Sequence, residues 1–424
     1  MKHIRSAAVV LAAAVALTAC GSSTDSSDDA ATAGGKTKVR LWLVGTDTPQ
    51  AARDYAKATF EKENPKAELV IEQQVWDGLV DKLTTSLSGS DSPDVVEVGN
   101  TQAVAFTSAG AFKDISDKKA ELGGDDLLSG FVDAGSYDGK LYAAPYYAGS
   151  RLVFYRKDLL KKAGLEVPTT LNDYIAAGTK LKAQSTKKPF SGIYFPGQDW
   201  RNALPYIWSA GGDLAVQKDG KWQGSLSTPE SVAGLKQVQQ VMANASGAAK
   251  DGNETDPQVP YCANQIGMLS APGWVKGSIL DPKAGCPKAE ANLGVFALPG
   301  ASAGQTAPVF LGGSNIAIAA KSKHQDLAYG LMKVLLSDGY QTEMAKAGLI
   351  PAKKSLFPAL GTDDVAKAIG QAASNTKSTP AAPGWANVES DKILEDLFVQ
   401  IAKGGDVQQL ATAADAKITA ALNR

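Results

Sequence analysis

The sequence predicts an α/β fold with a parallel β-sheet, because strand-like and helix-like segments alternate near its start. The predicted elements are a strand at 39–44, a helix at 49–63, a strand at 68–75, a helix at 76–87 and a strand at 94–98. Length is the second observation, since 424 residues exceed what one hydrophobic core ordinarily holds. We therefore expect a chain of two lobes or domains.

The first two elements carry local start and stop signals. Residues 39–44 are mostly apolar and run into Gly45, which is typical of a buried strand followed by a turn. In the next element Thr48 is the predicted N-cap and Pro49 takes the first helical position. Asn64 precedes a proline that stops this helix.

The predicted strands place candidate ligand contacts at one edge of the sheet. In open parallel sheets, ligands bind beyond the carboxyl ends of the strands. Asp47 follows the first strand and Trp76 follows the second. Asn100 and Gln102 follow the third. We predict that these four side chains contact a ligand; a helix cap or a turn is the alternative role for the polar ones.

The middle of the chain continues the alternation. An Asp-Gly pair at 138–139 predicts a hairpin-like turn before an extended aromatic segment. Residues 151–156 then predict a strand, 157–163 a helix and 171–184 a further helix.

The first twenty residues resemble a bacterial lipoprotein signal. Two cations precede the apolar stretch 7–17, which is too short to cross a bilayer as a helix. Residues 17–21, Leu-Thr-Ala-Cys-Gly, resemble the lipobox, which implies a signal peptide at 1–19 and a lipid on Cys20. We expect a flexible tether at 20–37 and a location on the outer face of the cell membrane. A buried core helix is the alternative.

Two cysteines remain once Cys20 carries a lipid. They are Cys262 and Cys286, and a compartment outside the membrane permits a disulfide between them. We predict this bridge, with two free buried thiols as the alternative. A closed loop of about 25 residues contributes roughly 3 kcal/mol to stability.

Composition argues against several classes of function. The formal net charge is −1 and no run of lysine or arginine stands out, so nucleic acid is not an expected partner. His324 is the only histidine beyond the signal segment, and its polar surroundings indicate a solvated loop instead of a catalytic base. The common zinc, phosphate-loop and dinucleotide motifs do not occur. We expect no metal, no cofactor and no catalysis.

Five segments in a fixed order resemble one protein family. Residues 138–145 read Asp-Gly-Lys-Leu-Tyr-Ala-Ala-Pro, and 151–158 and 162–170 continue a pattern similar to the extracellular solute-binding proteins of sugar ABC transporters, which include the maltose-binding type. Asn172 and Asp173 stand where this family usually has a tryptophan. The remaining anchors lie at 268–274, 311–319 and 345–351.

The resemblance implies a two-lobed, type II periplasmic-binding-protein-like fold, with discontinuous lobes joined by a hinge. The implied segments are 38–146 and 303–349 for lobe one, and 150–300 and 352–424 for lobe two. Crossings between the lobes are expected near 147–149, 300–304 and 350–351, where glycine and proline cluster.

The resemblance also implies a function. A lipid-anchored monomer would bind a di- or oligosaccharide between its lobes and deliver it to the permease subunits of an ABC importer, without breaking a bond. Two alternatives remain open. One is a receptor of the same fold for a non-sugar solute, and the other is a secreted glycoside hydrolase, which requires paired carboxylates.

A sugar ring has an apolar face and an edge of hydroxyls, so its site needs aromatic planes and polar groups. Trp274 matches the family position that stacks on a sugar, and Trp200 matches an aromatic position of the second lobe. Trp385 lies in a proline-braced loop that we expect to be exposed, which suggests ligand contact. Core packing or a surface turn is predicted for the others, Trp42, Trp208 and Trp222.

Three further side chains are candidates for ligand contact. Arg151 follows the first predicted crossing, Tyr147 lies within it, and Asn315 follows a Gly-Gly pair. An interlobe ion pair or a bracing role is the alternative for these residues.

Overall fold

The computed structural model describes residues 35–373 and 375–424. The predicted signal peptide and lipidated Cys20, and almost all of the predicted tether, lie outside the described residues. Residues Thr37–Arg424 form one compact unit. In the described ranges, no helix has both the length and the apolar character that a membrane crossing requires.

Short strands and helices alternate through the described residues. The strands are β1 Thr37–Val44, β2 Ala67–Gln74, β3 Val95–Gly99, β4 Ser136–Tyr137, β5 Lys140–Leu141, β6 Ala143–Arg156, β7 Ser191–Tyr194, β8 Ala215–Lys218, β9 Lys221–Gly224, β10 Ile266–Pro272, β11 Leu293–Phe296, β12 Val309–Ile318, β13 Ile350–Pro351 and β14 Thr376–Lys377. The helices are α1 Gln50–Glu63, α2 Leu79–Ser88, α3 Asn100–Ser108, α4 Lys119–Leu122, α5 Ser129–Ala134, α6 Lys157–Lys162, α7 Leu171–Gln184, α8 Leu204–Ser209, α9 Pro229–Asn244, α10 Gln258–Cys262, α11 Val275–Leu280, α12 Gln325–Leu335, α13 Asp338–Lys346, α14 Asp364–Ala373, α15 Trp385–Ser390, α16 Ile393–Ala402 and α17 Val407–Leu422.

The predicted order of the first five elements is confirmed. β1 pairs in parallel with both β2 and β3, and α1 and α2 connect these strands. The predicted cap of α1 is wrong, because the helix begins at Gln50 after Pro49. Thr48 is buried instead, and its hydroxyl lies 2.9 Å from the hydroxyl of Tyr146.

One long strand runs through both parts of the main sheet. The strand order is β2-β1-β3-β12-β6-β10-β7, with β11 and β13 also paired to β6. The first part of β6 pairs antiparallel with β12, and its last residues pair antiparallel with β10. β6 therefore connects a first half of the sheet, around β1, to a second half, around β10.

Buried side chains divide into separate clusters along this sheet. Two clusters pack around β1, β3 and β12, and a larger one packs around β7, β10 and the C-terminal helices. Ala307, Val309 and Phe310 belong to the larger cluster, although the sequence predicts them in lobe one. Trp42 and Trp208 are core residues, as predicted.

Glycines allow three chain segments to lie side by side where the halves meet. Gly149 of β6 pairs with Gly312 of β12, and Ala148 pairs with both Gly313 and Ile350. A Cβ on Gly313 would lie 2.3 Å from the carbonyl oxygen of the residue before Ala148, and its φ of 139° favours glycine. We therefore move the predicted second crossing from 300–304 to the middle of β12.

The predicted bridge between Cys262 and Cys286 is present. The two Cα atoms are 5.5 Å apart. The bridge ties the end of α10 to the segment after α11, and the loop that it closes contains β10.

Candidate ligand-binding site

Three side chains from the carboxyl edge of β1, β2 and β3 form a group that we call the first face: Asp47, Trp76 and Gln102. The Trp76 side chain hydrogen-bonds to Asp47. A Cβ on Gly99 would lie 3.5 Å from both the Gln102 amide and the Trp76 ring, so these two side chains converge. Trp76 is 40% exposed. The sequence-based prediction that strand ends gather these side chains agrees with this placement.

A buried carboxylate lies directly beneath the first face. Glu97 accepts hydrogen bonds from the Val44 amide at 2.8 Å and the Ser314 hydroxyl at 2.7 Å. The Tyr147 hydroxyl lies 3.2 Å from an oxygen of Glu97 and 3.2 Å from an oxygen of Asp47. Burial raises the pKa of Glu97 to about 7 and that of Asp47 to about 6. Sequence reasoning missed Glu97, although a lone acid within the apolar strand β3 is a signal.

The opposite group, the second face, consists of Arg151, Trp200, Glu254 and Trp385. Arg151 is 3% exposed and pairs with Glu254, while its guanidinium also lies 3.6 Å from a carboxylate oxygen of Asp199. Burial opposes ionisation of Glu254, but Arg151 and a neighbouring arginine hold its pKa below the ordinary range. Burial and then the charge of Glu254 raise the pKa of Asp199 to about 7.

The two tryptophans of the second face form an edge-to-face pair. The ring centroids of Trp200 and Trp385 are 6.4 Å apart with an interplanar angle of 64°. Trp200 Nε1 donates to Glu395 at 3.0 Å, and the Arg201 guanidinium lies over the Trp200 ring at 4.4 Å. Both rings are fully buried. The expectation of an exposed Trp385 is wrong, because this residue begins α15 and packs inward while the preceding Pro383 is exposed.

Gln102 of the first face contacts Glu389, which lies next to the second face, and charges of the two faces lie within electrostatic reach. Gln102 Nε2 donates to Glu389 of α15 at 2.8 Å, and Lys392 lies 3.0 Å from Asp77. The charge of Glu254 contributes to the raised pKa of Asp47. The fold therefore brings the candidate residues of both faces to one place.

Trp274 and Tyr147 lie where the halves of the sheet meet. Their rings are edge-to-face at 6.0 Å and 87°. Trp274 is half-buried, and a Cβ on Gly149 would lie 2.2 Å from its ring. This glycine therefore allows the indole to lie against the crossing strand, next to Tyr147, which contacts Asp47 of the first face.

Two predicted polar contacts have structural partners. Asn315 is fully buried and donates to the carbonyl oxygens of Phe131 and Ala143 at 2.8 and 3.2 Å, so it fastens backbone inside the first half. Its amide nitrogen therefore has the bracing role that we gave as the alternative, while its buried Oδ1 has no hydrogen-bond partner among the described residues. Asn100 begins α3 and donates to the Leu311 carbonyl at 3.2 Å, next to the crossing strands.

Several buried polar atoms of this region have no hydrogen-bond partner among the described residues. They are Oε1 of Gln74, Oε1 of Gln102, Nε of Arg151 and Oε2 of Glu395. Buried polar atoms in folded proteins are almost always hydrogen-bonded. Free donors and acceptors from both faces therefore suit a ligand with many hydroxyl or amide groups.

A serine, a histidine and an aspartate meet elsewhere without forming a nucleophile system. Ser322 Oγ donates to Asp94 at 2.6 Å, and His324 Nδ1 lies 3.3 Å from the same oxygen. The serine therefore faces the acid and not the histidine, which is the wrong order for activation. Among the described residues, no group of three or more His, Cys, Asp or Glu suits a metal ion.

Sequence comparison assigns the class. The chain matches the family described as bacterial extracellular solute-binding protein over residues 45–342. The diacetylchitobiose-binding protein DasA of Streptomyces coelicolor is 37% identical over 387 residues, which cover 89% of this chain and 88% of that protein. A galactooligosaccharide-binding protein of Bacillus subtilis is 26% identical over 388 residues, which cover 88% and 86%.

Solved structures share the fold. The GacH receptor of Streptomyces glaucescens, determined unliganded and with acarbose, superposes with a TM-score of 0.79 at 24% identity, covering 92% of this chain and 99% of that chain. Maltose-bound MalE3 of T. maritima gives 0.77 at 19% identity, covering 90% and 99%. The chain belongs to the bacterial extracellular solute-binding proteins, and the predicted family and two-lobed α/β fold are confirmed. The named relatives are binding proteins and not enzymes.

Proposed function

We propose that this protein is a receptor that binds a di- or oligosaccharide between the first and second faces and delivers it to the permease subunits of an ABC importer. It returns the sugar chemically unchanged. It acts as a monomer on the outer face of the cell membrane, held there by a lipid on Cys20.

The observation that carries the proposal is the meeting of aromatic rings and free polar groups from two separate faces. The flat ring of Trp76, which is 40% exposed, suits the C–H face of a sugar. Gln102 and Arg151 have unpartnered buried atoms that suit hydroxyl or amide groups.

The assignment of residues to the two lobes follows the division between the first and second faces. The predicted segments are 38–146 with 303–349 for lobe one and 150–300 with 352–424 for lobe two, and the crossing in the middle of β12 reassigns 303–310 to lobe two. A ligand favours closure of these lobes only through contacts that it makes in the closed state. Contacts on both faces provide that difference.

The first ligands to test come from the relatives. The names of two relatives specify diacetylchitobiose and galactooligosaccharide. The relative named for diacetylchitobiose is the more similar of the two, so this disaccharide is the leading candidate. Its two acetamido groups also suit the free amide oxygen of Gln102.

Isothermal titration calorimetry tests the proposal directly. The panel contains diacetylchitobiose, a galactooligosaccharide, maltose, a peptide and a polyamine. We expect heat of binding and a raised melting temperature with a sugar and with neither non-sugar solute. Chromatography of the recovered sugar should show no cleavage. Absence of heat with every sugar, or release of shortened products, would reject the proposed function.

A further inference from the structure

Glu389 is the centre of a hydrogen-bond group that joins the two faces. Its carboxylate belongs to α15, whereas Thr101 and Gln102 belong to α3. Thr101 Oγ1 donates to one carboxylate oxygen at 2.6 Å, and Gln102 Nε2 donates to the other at 2.8 Å. Trp385 Nε1, one turn earlier in α15, donates to the first oxygen at 2.8 Å.

These bonds depend on the relative position of the faces. The two donors of α3 come from beside the first face, and the acceptor comes from beside the second, so separation of the faces breaks both bonds. Hydrogen bonds to a carboxylate are stronger than those between neutral groups. Gln102 is 8% exposed and Glu389 is half-buried, which limits competition from water.

A second link between the faces provides a contrast. Lys392 lies 3.0 Å from Asp77, but their side chains are 60% and 85% exposed. Exposed ion pairs contribute little to stability. The half-buried carboxylate of Glu389, with three donors, is therefore the stronger link.

We propose that Glu389 is a positioning residue that latches the two faces together and so sets the fraction of receptor molecules that can hold a ligand with both. This inference rests on the proposed function for its effect on sugar affinity. When only part of a population is competent to bind, the apparent Kd rises as that fraction falls. The same carboxylate also fixes the Trp385 indole, so the latch orients one aromatic plane of the site.

Two variants test the latch. Glu389→Gln removes the negative charge and replaces one acceptor oxygen with an amide donor, so the charge-assisted bonds from α3 become weaker neutral ones even where the Gln102 amide turns to accept. Thr101→Val removes one hydrogen-bond donor with little change of shape. It is the second test of the latch if Glu389→Gln folds poorly. Lys392→Ala, which removes the exposed link, is the matched control, and circular dichroism melts confirm that each variant is folded.

Small-angle X-ray scattering of the sugar-free proteins is the primary measurement. We expect a larger radius of gyration for Glu389→Gln and Thr101→Val than for the wild type, and no change for Lys392→Ala. By calorimetry, diacetylchitobiose should bind about tenfold more weakly to Glu389→Gln and within twofold of the wild type to Lys392→Ala.

The scattering result is independent of the ligand. Folded Glu389→Gln and Thr101→Val proteins that scatter like the wild type would overturn the latch, even if sugar binds to all of them. An enlarged radius of gyration in a receptor that binds no sugar would support the latch and reject the proposed function. The two failures are therefore distinguishable.

Discussion

The first and second faces accommodate buried carboxylates in different ways. Beneath the first face, Glu97 is held by an amide, a serine hydroxyl and a tyrosine hydroxyl, and burial raises its pKa to about 7. On the second face, Arg151 and Arg201 contact Glu254 and lower its pKa against the effect of burial. The amide and hydroxyl donors thus permit a neutral Glu97 near pH 7, whereas the two arginines maintain an ionised Glu254.

This difference predicts that different changes lower the stability conferred by each group of side chains. The second face depends on an intact cluster of charges, because loss of one partner leaves others buried and unpaired. Carboxylates beside both faces change protonation near neutrality, because burial raises the pKa of Glu97 and of Asp199 to about 7, so the contrast in pH dependence is between Glu97 and Glu254. Ligand contact, as proposed, requires both faces together.

Removal of the central arginine should have the largest effect. Arg151→Met leaves Glu254 and Asp199 without their buried cation, and we expect a loss of about 3–5 kcal/mol in the free energy of unfolding. Urea denaturation measures this loss. The control is Lys276→Met, which breaks an exposed pair with Asp363 and should cost less than about 1 kcal/mol. Equal stability of the two variants would contradict the contrast between the faces.

The pH dependence of stability is the next largest effect. The pKa of Glu97 rises from 4.5 to about 7 on folding, so the folded state binds more protons between these values. The contribution of Glu97 is complete below about pH 4 and is lost as pH rises through 7, a change of about 3 kcal/mol. Glu97→Gln imitates the protonated acid, so this part of the pH dependence should disappear.

For Glu254 of the second face, we expect the pH dependence of stability to have the opposite sign. The pKa of Glu254 is lowered, so its contribution is present at neutral pH and is lost as pH falls through its folded pKa. Urea unfolding at pH 8 and at a pH well below the ordinary glutamate pKa of 4.5 compares the variants: Glu254→Gln should destabilise at pH 8 and lose this effect at the lower pH, whereas Glu97→Gln should stabilise at pH 8. Parallel behaviour of the two variants would show that the faces do not differ.

Loss of the indole between the faces has the smallest expected effect in free energy. Trp274→Ala should weaken binding of diacetylchitobiose by at least tenfold, about 1.4 kcal/mol, while the protein stays folded. Calorimetry measures the change, with a melting curve as the check on folding. Trp222→Phe, in the hairpin strand β9, is the control and should bind like the wild type. An unchanged dissociation constant for Trp274→Ala would remove this residue from the site.

The sequence alone predicted that the side chains of the first face lie close together, because the geometry of parallel strands is regular. Asp47, Trp76 and Gln102 follow three parallel strands, and the ends of such strands share one edge of a sheet. The crossings at β6 and β13 were predicted from glycine and proline, which permit the close approach of strands seen at Gly149.

The second face was harder to predict because its parts come from distant loops and helices. Glu254, Asp199 and Glu389 have no local pattern that marks them, and only packing brings them to Arg151 and Gln102. The bracing bonds of Asn315 also have no local pattern in the sequence: the register of β12 shifts between Ser314 and Asn315, and the amide nitrogen of Asn315 bonds to backbone in the first half of the sheet.

A crystal structure of the protein with diacetylchitobiose tests the central claim most directly. We predict a sugar enclosed between Trp76 and Gln102 on one side and Trp200, Trp385 and Arg151 on the other. Its glycosidic bond should be intact. A sugar bound to the outer surface of a single lobe, with the two faces unoccupied, would contradict the account.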